Sequence, residues 1–202
     1  MAPGSFHRRA VFLDRDGTIN EEVGYLRSLD DLVLIEGAAE GIRLLNGLGL
    51  LVVVATNQSG VARGYFDESF VFRVHAEIDR RLAQEGARVD AWYVCPHHPT
   101  EGRDAYRISC GCRKPAPGLL LRAGKDLGID LARSWFVGDT AMDMECASAA
   151  GTKGILVLTG KGQLALSQIE GRNACPEFVA PDLFSACKWI RDHGVNDGAG
   201  NQ

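Results

Sequence analysis

Two patterns of apolar and polar positions alternate along this chain. Short apolar runs typical of buried parallel strands are separated by stretches whose apolar residues recur every three or four positions, as on one face of a helix. The predicted strands are 11–13, 50–55, 91–94, 134–137, 154–158 and 177–180, and the predicted helices include 37–48, 70–82, 118–127, a segment ending at 150, and 183–190. This alternation predicts a single α/β domain over residues 1–202, with a Rossmann-like, mostly parallel sheet and helices on both faces.

Three segments lack either pattern. Residues 20–34 are polar and irregular, and we expect them to cross the end of the sheet that carries the chemistry. Residues 95–117 form a long loop, and such a loop inside a compact domain is usually functional or cross-linked. The Gly- and Asn-rich tail 194–202 is expected to be flexible. The remaining spacing leaves no room for a large cap domain, so the first two segments are expected to form the pocket walls.

Composition narrows the class of protein. The 202 residues are 46% hydrophobic and 24% charged, which is typical of a globular chain. The net charge is −4 without a basic block, which argues against nucleic acid or a membrane surface as the main partner. No signal-peptide core and no membrane-spanning run is visible, so we expect a cytoplasmic protein, acting as a monomer. In that compartment the six cysteines favour metal ligands or core residues over disulfides.

Two acids follow the first predicted strand. Asp14 and Asp16 are two positions apart, so strand alternation would place both side chains on one face. Alternatively, a turn at Gly17 would let Asp16 lean over Asp14 from the loop. Because neighbouring carboxylates repel each other, their proximity requires a cation or a shared proton.

Further polar residues end other strands and the long loop: Thr56, Lys114 and Asp139. Each has an ordinary explanation, as a strand-end hydroxyl, a surface lysine and a helix cap. Together with the acid pair, however, they favour phosphoryl transfer. Asp14 and Asp139 could hold Mg²⁺, and Asp14 could attack phosphorus to give an aspartyl phosphate. Asp16 could then act as general acid and base, while Thr56 and Lys114 orient the phosphoryl oxygens.

The long loop contains a second candidate metal site. Its spacing is C-x-H, twelve residues, then C-x-C, formed by Cys95, His97, Cys110 and Cys112. Three thiolates and an imidazole saturate a tetrahedral Zn²⁺, which predicts a structural, zinc-stapled loop. The alternative is three buried cysteines with a chance histidine.

These motifs resemble those of the haloacid dehalogenase superfamily. The stretch Asp14-Arg15-Asp16-Gly17-Thr18 resembles its first motif, Thr56 and Lys114 its second and third, and Gly138-Asp139 with Asp143 its fourth. An acid two residues after the nucleophile is typical of the phosphatase branch. The resemblance therefore implies a phosphatase, with Asp16 as a further Mg²⁺ ligand.

The zinc-stapled loop resembles that of a small phosphatase group within this superfamily. Its members act on D-glycero-D-manno-heptose 1,7-bisphosphate, in the synthesis of activated heptose for lipopolysaccharide or other surface glycans, or on histidinol phosphate. The resemblance to the heptose phosphatases is the stronger, and it implies release of the C7 phosphate. The implied substrate contacts are Glu22, Val23, Gly24, Tyr25, Asn57, Gln58, Ser59, Arg113 and Thr140. One departure is Thr140, where the heptose phosphatases usually carry a basic residue; its hydroxyl brings no charge, which would weaken the hold on the second phosphate or alter the preferred anomer.

Three other functions remain open on the sequence alone. One is hydrolysis of histidinol phosphate or another small phosphosugar. Another is a zinc-stapled binding module without catalysis, which the intact set of acids and lysine disfavours. The third is a polynucleotide 3′-phosphatase, for which the sequence shows no basic groove.

Overall fold

The computed structural model describes residues 8–103, 105–169 and 175–194. Within these ranges, strands and helices alternate along the chain. The strands are β1 (Ala10–Leu13), β2 (Leu51–Asn57), β3 (Ala91–Cys95), β4 (Trp135–Gly138), β5 (Lys153–Val157) and β6 (Phe178–Ala180). The helices are α1 (Ala38–Gly47), α2 (Glu68–Gln84), α3 (Gly118–Leu127), α4 (Ala141–Ala150), α5 (Gly162–Ile169) and α6 (Leu183–Gly194), with short 3-10 turns at Leu29–Asp31 and Leu131–Arg133.

The six strands form one parallel sheet in the order β3-β2-β1-β4-β5-β6. Val11 of β1 pairs with Val52 on one side and with Trp135 on the other. Strands β1 to β3 are added towards one edge of the sheet and strands β4 to β6 towards the other. The strand order therefore has its switch point between the neighbouring strands β1 and β4. In open α/β sheets, ligands bind at the carboxyl ends of the strands flanking such a switch point.

Both faces of the sheet are covered, which explains why the strands read as continuous apolar runs. Val11 and Leu13 pack into one core with residues of α1, α2 and α6. Ala10 and Phe12 point to the opposite face and pack with residues of α3 and α4. A smaller cluster joins α5 to α4 and β5. The predicted Rossmann-like fold, without a large cap domain, is confirmed.

Several details differ from the predictions. Strand β2 continues through Asn57, so Thr56 lies in the strand rather than in the following loop. Helix α5 was not predicted, because it is short, begins at a glycine, Gly162, and follows a turn that contains Gly160. Gly194 is the last residue of α6 rather than the first of the tail, and the rest of that predicted tail, 195–202, lies outside the described residues. None of the described helices is long and apolar enough to cross a bilayer.

Candidate active site

The polar strand ends meet in one pocket of about 210 Å³. Asp14 follows β1 and Asp139 follows β4, the two strands that flank the switch point, and Thr56 is near the end of β2, the next strand beside β1. Most of the residues predicted to act in catalysis, Mg²⁺ binding or substrate binding line this pocket, together with Arg15 of the first motif: Asp14, Asp16, Glu22, Gly24, Tyr25, Thr56, Asn57, Gln58, Ser59, Arg113, Lys114, Asp139 and Thr140. Val23 is the exception, since it is 49% exposed and does not line the pocket.

Lys114 is buried between two carboxylates. Its Nζ lies 2.8 Å from Asp14 Oδ1 and 2.7 Å from Asp143 Oδ1, and its side chain is only 3% exposed. Burial alone would lower the pKa of Lys114, but the charges of Asp14 and Asp143 raise it above its usual value. The ammonium is therefore a fixed positive charge beside Asp14.

A group of three acids lies next to this ammonium. One carboxylate oxygen from each of Asp14, Asp139 and Asp143 lies within 4.8 Å of the others. Burial, reinforced by the charges of Asp14 and Asp143, raises the pKa of Asp139 to about 8. Burial, reinforced by Asp143 and opposed by Lys114, raises the pKa of Asp14 to about 6. Three carboxylates facing one ammonium leave an excess of negative charge that a divalent cation would neutralise.

Asp139 has the clearest signature of a cation ligand. Its Oδ2 accepts a hydrogen bond from the backbone N–H of Lys161 at 2.8 Å. Its Oδ1 is buried and has no hydrogen-bond partner among the described residues. A hard cation that prefers oxygen ligands, such as Mg²⁺, fits this unpaired oxygen.

Glycines on both sides leave room for the Asp139 carboxylate. Gly17 has φ +79° and Gly160 has φ +54°, a region that residues with a Cβ rarely adopt. A Cβ at either position would overlap the Asp139 carboxylate. Glycine is therefore required here for both conformation and space.

Asp16 lies in the loop beyond β1, as the second alternative predicted. Its carboxylate accepts hydrogen bonds from Arg15 at 2.8 Å, from Asn20 Nδ2 at 3.0 Å and from Gln58 Nε2 at 2.8 Å. Burial alone would raise the pKa of Asp16, but the Arg15 charge and these hydrogen bonds lower it. Asp16 is not part of the group of three acids described above, so its predicted role as a Mg²⁺ ligand remains a prediction.

Two predicted substrate contacts have side chains committed to the protein itself. The Asn57 amide bridges the backbone of Lys114, accepting from its N–H and donating to its carbonyl, both at 3.1 Å. The Gln58 amide joins Asp16 to the Thr56 hydroxyl, the latter at 3.0 Å. Both amides are thus placed to position the residues predicted to be catalytic, and their contact with substrate remains a prediction.

Thr140 is committed in a similar way. It is the N-cap of α4, and its hydroxyl donates to Asp143 Oδ2 at 2.6 Å while its backbone N–H donates to the same oxygen at 3.0 Å. This capping box fixes Asp143, whose other oxygen pairs with Lys114. The predicted role of Thr140 as a substrate contact remains a prediction.

Residues 22–25 form part of the pocket wall, as expected from their position in the irregular segment. Glu22 pairs with Lys161, Oε2 to Nζ, at 2.6 Å. The Tyr25 ring packs edge-on against Tyr65, with centroids 4.8 Å apart, and Arg63 lies 5.8 Å from the Tyr25 ring centre. The wall is therefore attached both to the β5–α5 turn and to the loop that follows β2.

The predicted zinc ligands converge in the long loop. The three sulfurs of Cys95, Cys110 and Cys112 lie 3.1–3.6 Å apart, and His97 Nδ1 lies 3.2–3.8 Å from them. A metal–sulfur distance of about 2.3 Å gives a tetrahedron with edges of about 3.8 Å, so these four atoms fit around one ion with a slight expansion. The sulfurs are too far apart for disulfides. Arg113 Nη1 donates to the His97 carbonyl at 3.1 Å, which ties a pocket residue to this cluster.

Four pocket residues were missed by the sequence analysis: Leu26, Gly60, Met142 and Lys161. Lys161 follows β5, at the same edge of the sheet as the other strand-end residues. The sequence signal for Lys161 is the same as for Asp139, a charged residue shortly after a predicted strand.

A parallel sheet with this strand order, carrying an aspartate after β1 and a buried lysine and further acids around it, defines a phosphatase of the haloacid dehalogenase class. Residues 111–186 match the protein family described as "HAD-hyrolase-like". D-glycero-D-manno-heptose-1,7-bisphosphate 7-phosphatase of Thermosynechococcus vestitus is 44% identical over 190 residues, covering 92% of this chain and 97% of that protein. D-glycero-beta-D-manno-heptose-1,7-bisphosphate 7-phosphatase of Escherichia coli K12 is 47% identical over 183 residues, covering 90% and 87%.

Solved structures agree with these relatives. The crystal structure of D,D-heptose 1,7-bisphosphate phosphatase from B. bronchiseptica, complexed with magnesium and phosphate, superposes with a TM-score of 0.81 at 36% identity, covering 91% of this chain and 98% of that one. The chain belongs to the haloacid dehalogenase-like hydrolases and, among them, to the heptose-1,7-bisphosphate 7-phosphatase family.

Proposed function

We propose that this protein is a Mg²⁺-dependent phosphatase that hydrolyses the C7 phosphate of D-glycero-D-manno-heptose 1,7-bisphosphate. The observation that carries the proposal is the placement of Asp14, Asp139 and the Lys114 ammonium in one pocket at the switch point. The relatives and the solved structure named above support the choice of substrate and metal. The proposed partner is therefore a small phosphosugar substrate.

Asp14 is the proposed nucleophile. Its Oδ1 accepts hydrogen bonds from Lys114 Nζ at 2.8 Å and from the Arg15 backbone N–H at 2.7 Å. With Oδ1 held in this way, Oδ2 is the atom that attacks phosphorus. The new O–P bond forms as the bond to the sugar oxygen breaks, which leaves an aspartyl phosphate on the enzyme.

Asp16 handles the proton in both steps. The sugar oxygen leaves as an alcohol and takes its proton from Asp16. Although Arg15 and Gln58 keep this carboxyl ionised in the absence of substrate, the negative charge of a bound phosphate raises its proton affinity. As a carboxylate again, Asp16 removes a proton from the water that hydrolyses the aspartyl phosphate.

Asp14 and Asp139 would hold Mg²⁺, whose positive charge offsets the repulsion between the nucleophile and the phosphate. Lys114 and the Thr56 hydroxyl, which both line the pocket, would bind the transferring oxygens. Asp143 holds the Lys114 ammonium through an ion pair, and Thr140 holds Asp143 through a hydrogen bond. The ammonium therefore needs little reorganisation during the reaction.

For the second site, we infer a structural Zn²⁺. Three sulfurs and one imidazole nitrogen in a tetrahedron are the donors that Zn²⁺ prefers, and they leave no open position for a substrate. The ion would order the loop that carries Arg113 and Lys114 into the pocket.

The test is a phosphate-release assay on both anomers of the heptose bisphosphate and on histidinol phosphate, with and without MgCl₂. We expect Mg²⁺-dependent release, at least tenfold more efficient with a heptose bisphosphate, and ³¹P NMR of the product should show that the C1 phosphate remains. Faster hydrolysis of histidinol phosphate, or loss of the C1 phosphate instead, would overturn the proposed substrate. No release from any of the three would overturn the proposed activity.

A further inference from the structure

Four basic side chains line the pocket within the described residues, and two of them are committed to the reacting end of the pocket. Lys114 pairs with Asp14 and Asp143 and is assigned to the reacting phosphate, and the buried Arg15 guanidinium pairs with Asp16. Arg113 and Lys161 remain. The Lys161 side chain is 54% exposed, so an incoming anion can reach its ammonium without breaking a buried ion pair.

The backbone around Lys161 is fixed at the edge of the metal site. Its N–H donates to Asp139 Oδ2 at 2.8 Å, and the hydroxyl of Thr159 donates to the Gly17 carbonyl at 2.6 Å. The turn after β5 is therefore tied to the loops after β1 and β4. This attachment sets the direction from which the Lys161 side chain enters the pocket.

The side chain is also held in advance. Glu22 Oε2 lies 2.6 Å from Lys161 Nζ, and Glu22 itself is mostly buried in the pocket wall. Partial burial alone would lower the pKa of Lys161, but its hydrogen bond to Glu22 and the Glu22 charge raise it, so the group stays an ammonium. An ammonium has three N–H donors, so it can keep Glu22 and still donate to a phosphate oxygen.

A bisphosphate requires a second anion site. The reacting phosphate is neutralised by Lys114 and the metal, whereas the phosphate at the other end of the sugar brings close to two further negative charges. Thr140, which also lines the pocket, is neutral, and its hydroxyl is committed to Asp143. Arg113 supplies only one positive charge, from the loop that carries the proposed Zn²⁺ ligands.

We propose that Lys161 is a specificity-determining residue, whose ammonium binds the phosphate that is not cleaved. Glu22 holds this ammonium at the pocket through their ion pair. This inference rests on the proposed function, because it assumes a substrate with two phosphates. The distal phosphate would then have two separate contacts, one with Lys161 in the β5–α5 turn and one with Arg113.

The test compares Lys161→Met with wild type on the heptose 1,7-bisphosphate and on the corresponding heptose 7-phosphate, in Mg²⁺. The substitution keeps the backbone N–H that binds Asp139 and removes only the charge. The measured quantity is the ratio of kcat/KM for the bisphosphate to kcat/KM for the monophosphate. We expect this ratio to fall about tenfold in Lys161→Met, since the contact is charge-assisted but partly exposed, and to recover partly in Lys161→Arg.

Lys125→Met is the matched control, because Lys125 is an exposed lysine of α3 that does not line this pocket, and its ratio should equal that of wild type. An unchanged ratio in Lys161→Met would overturn the role of Lys161 while wild-type turnover still supports the proposed function. If wild type hydrolyses neither heptose phosphate, the proposed function fails first, and the inference fails with it.

Discussion

Replacing Asp139 with Asn is expected to stabilise the magnesium-free protein at alkaline pH while abolishing turnover. Asp139 is 1% exposed, and its Oδ1 has no hydrogen-bond partner among the described residues. Asn keeps an oxygen for the Lys161 N–H and places an N–H donor near the oxygens of Asp14 and Asp143. The variant thus removes one buried negative charge from the group of three neighbouring acids, Asp14, Asp139 and Asp143.

The shift in the pKa of Asp139 gives the size of the expected gain in unfolding free energy. Burial and the neighbouring carboxylates raise it from 3.8 to about 8. This difference corresponds to an upper bound of roughly 6 kcal/mol of unfolding free energy, of which we expect about 2–3 kcal/mol after relaxation of the site. For a chain of this size that is a gain of about 5–10 °C in Tm.

The pH dependence has a defined sign. Because the folded-state pKa is raised, the protonated Asp139 contributes its full stability below about pH 4, and this contribution is lost as the pH rises through about 8. The advantage of Asp139→Asn over wild type should therefore widen roughly threefold between pH 5 and pH 8.5. Added Mg²⁺ should stabilise wild type, most strongly at pH 8.5, and should not stabilise the variant.

Thermal unfolding followed by circular dichroism at both pH values, in buffer freed of Mg²⁺ by dialysis rather than chelation, measures these differences while sparing the predicted zinc site. Asp126→Asn is the control for loss of an exposed carboxylate, and its Tm difference should stay small at both pH values. A Tm gap for Asp139→Asn that is absent, or that narrows towards pH 8.5, would refute the reasoning.

Three further outcomes test the site. Asp14→Asn should lower kcat at least about 10³-fold without loss of Tm, and substantial phosphate release from it would remove Asp14 from the nucleophile role. Gly17→Ala should raise the Mg²⁺ concentration needed for half-maximal activity more than tenfold, because a Cβ at this position overlaps the proposed metal ligand Asp139. Gly47→Ala is the control, since a Cβ there meets nothing within 4 Å, and it should leave this concentration unchanged. Equal Mg²⁺ requirements in the two variants would argue against crowding at Asp139. Cys112→Ser should lose one equivalent of zinc by elemental analysis and expose its loop to proteolysis, unlike Cys175→Ser at an exposed cysteine, and full zinc retention would contradict the four-ligand site.

The sheet and the site edge were predictable because they follow from burial and topology. A strand such as β1, covered on both faces, must be apolar throughout, and the predicted strand bounds lie within two residues of the observed ones. Once the strands are parallel, their carboxyl ends meet, which brings Asp14, Thr56 and Asp139 together. The outline of the site therefore needed no contact information.

The supporting hydrogen bonds were not predictable from local pattern. Asn57 bridges the backbone of Lys114, which is 57 residues away in the sequence, and Thr140 is engaged by a side chain one turn along its own helix. An amide or hydroxyl beside a catalytic residue looks the same in sequence whether it contacts substrate or protein. Only the fold decides which, and it also brings the β5–α5 turn, with Lys161, into the pocket.

The hydrogen bond from Arg113 to the carbonyl of His97 has a practical consequence for purified material. Cys112, Arg113 and Lys114 are consecutive, so a proposed zinc ligand, a cation that lines the pocket and the lysine paired with Asp14 share one short piece of backbone. If the proposed Zn²⁺ occupies this cluster, preparations that lack it should show both a higher KM for substrate and a lower kcat, although the ion would take no part in the reaction. Batch-to-batch variation in apparent activity would then track metal occupancy.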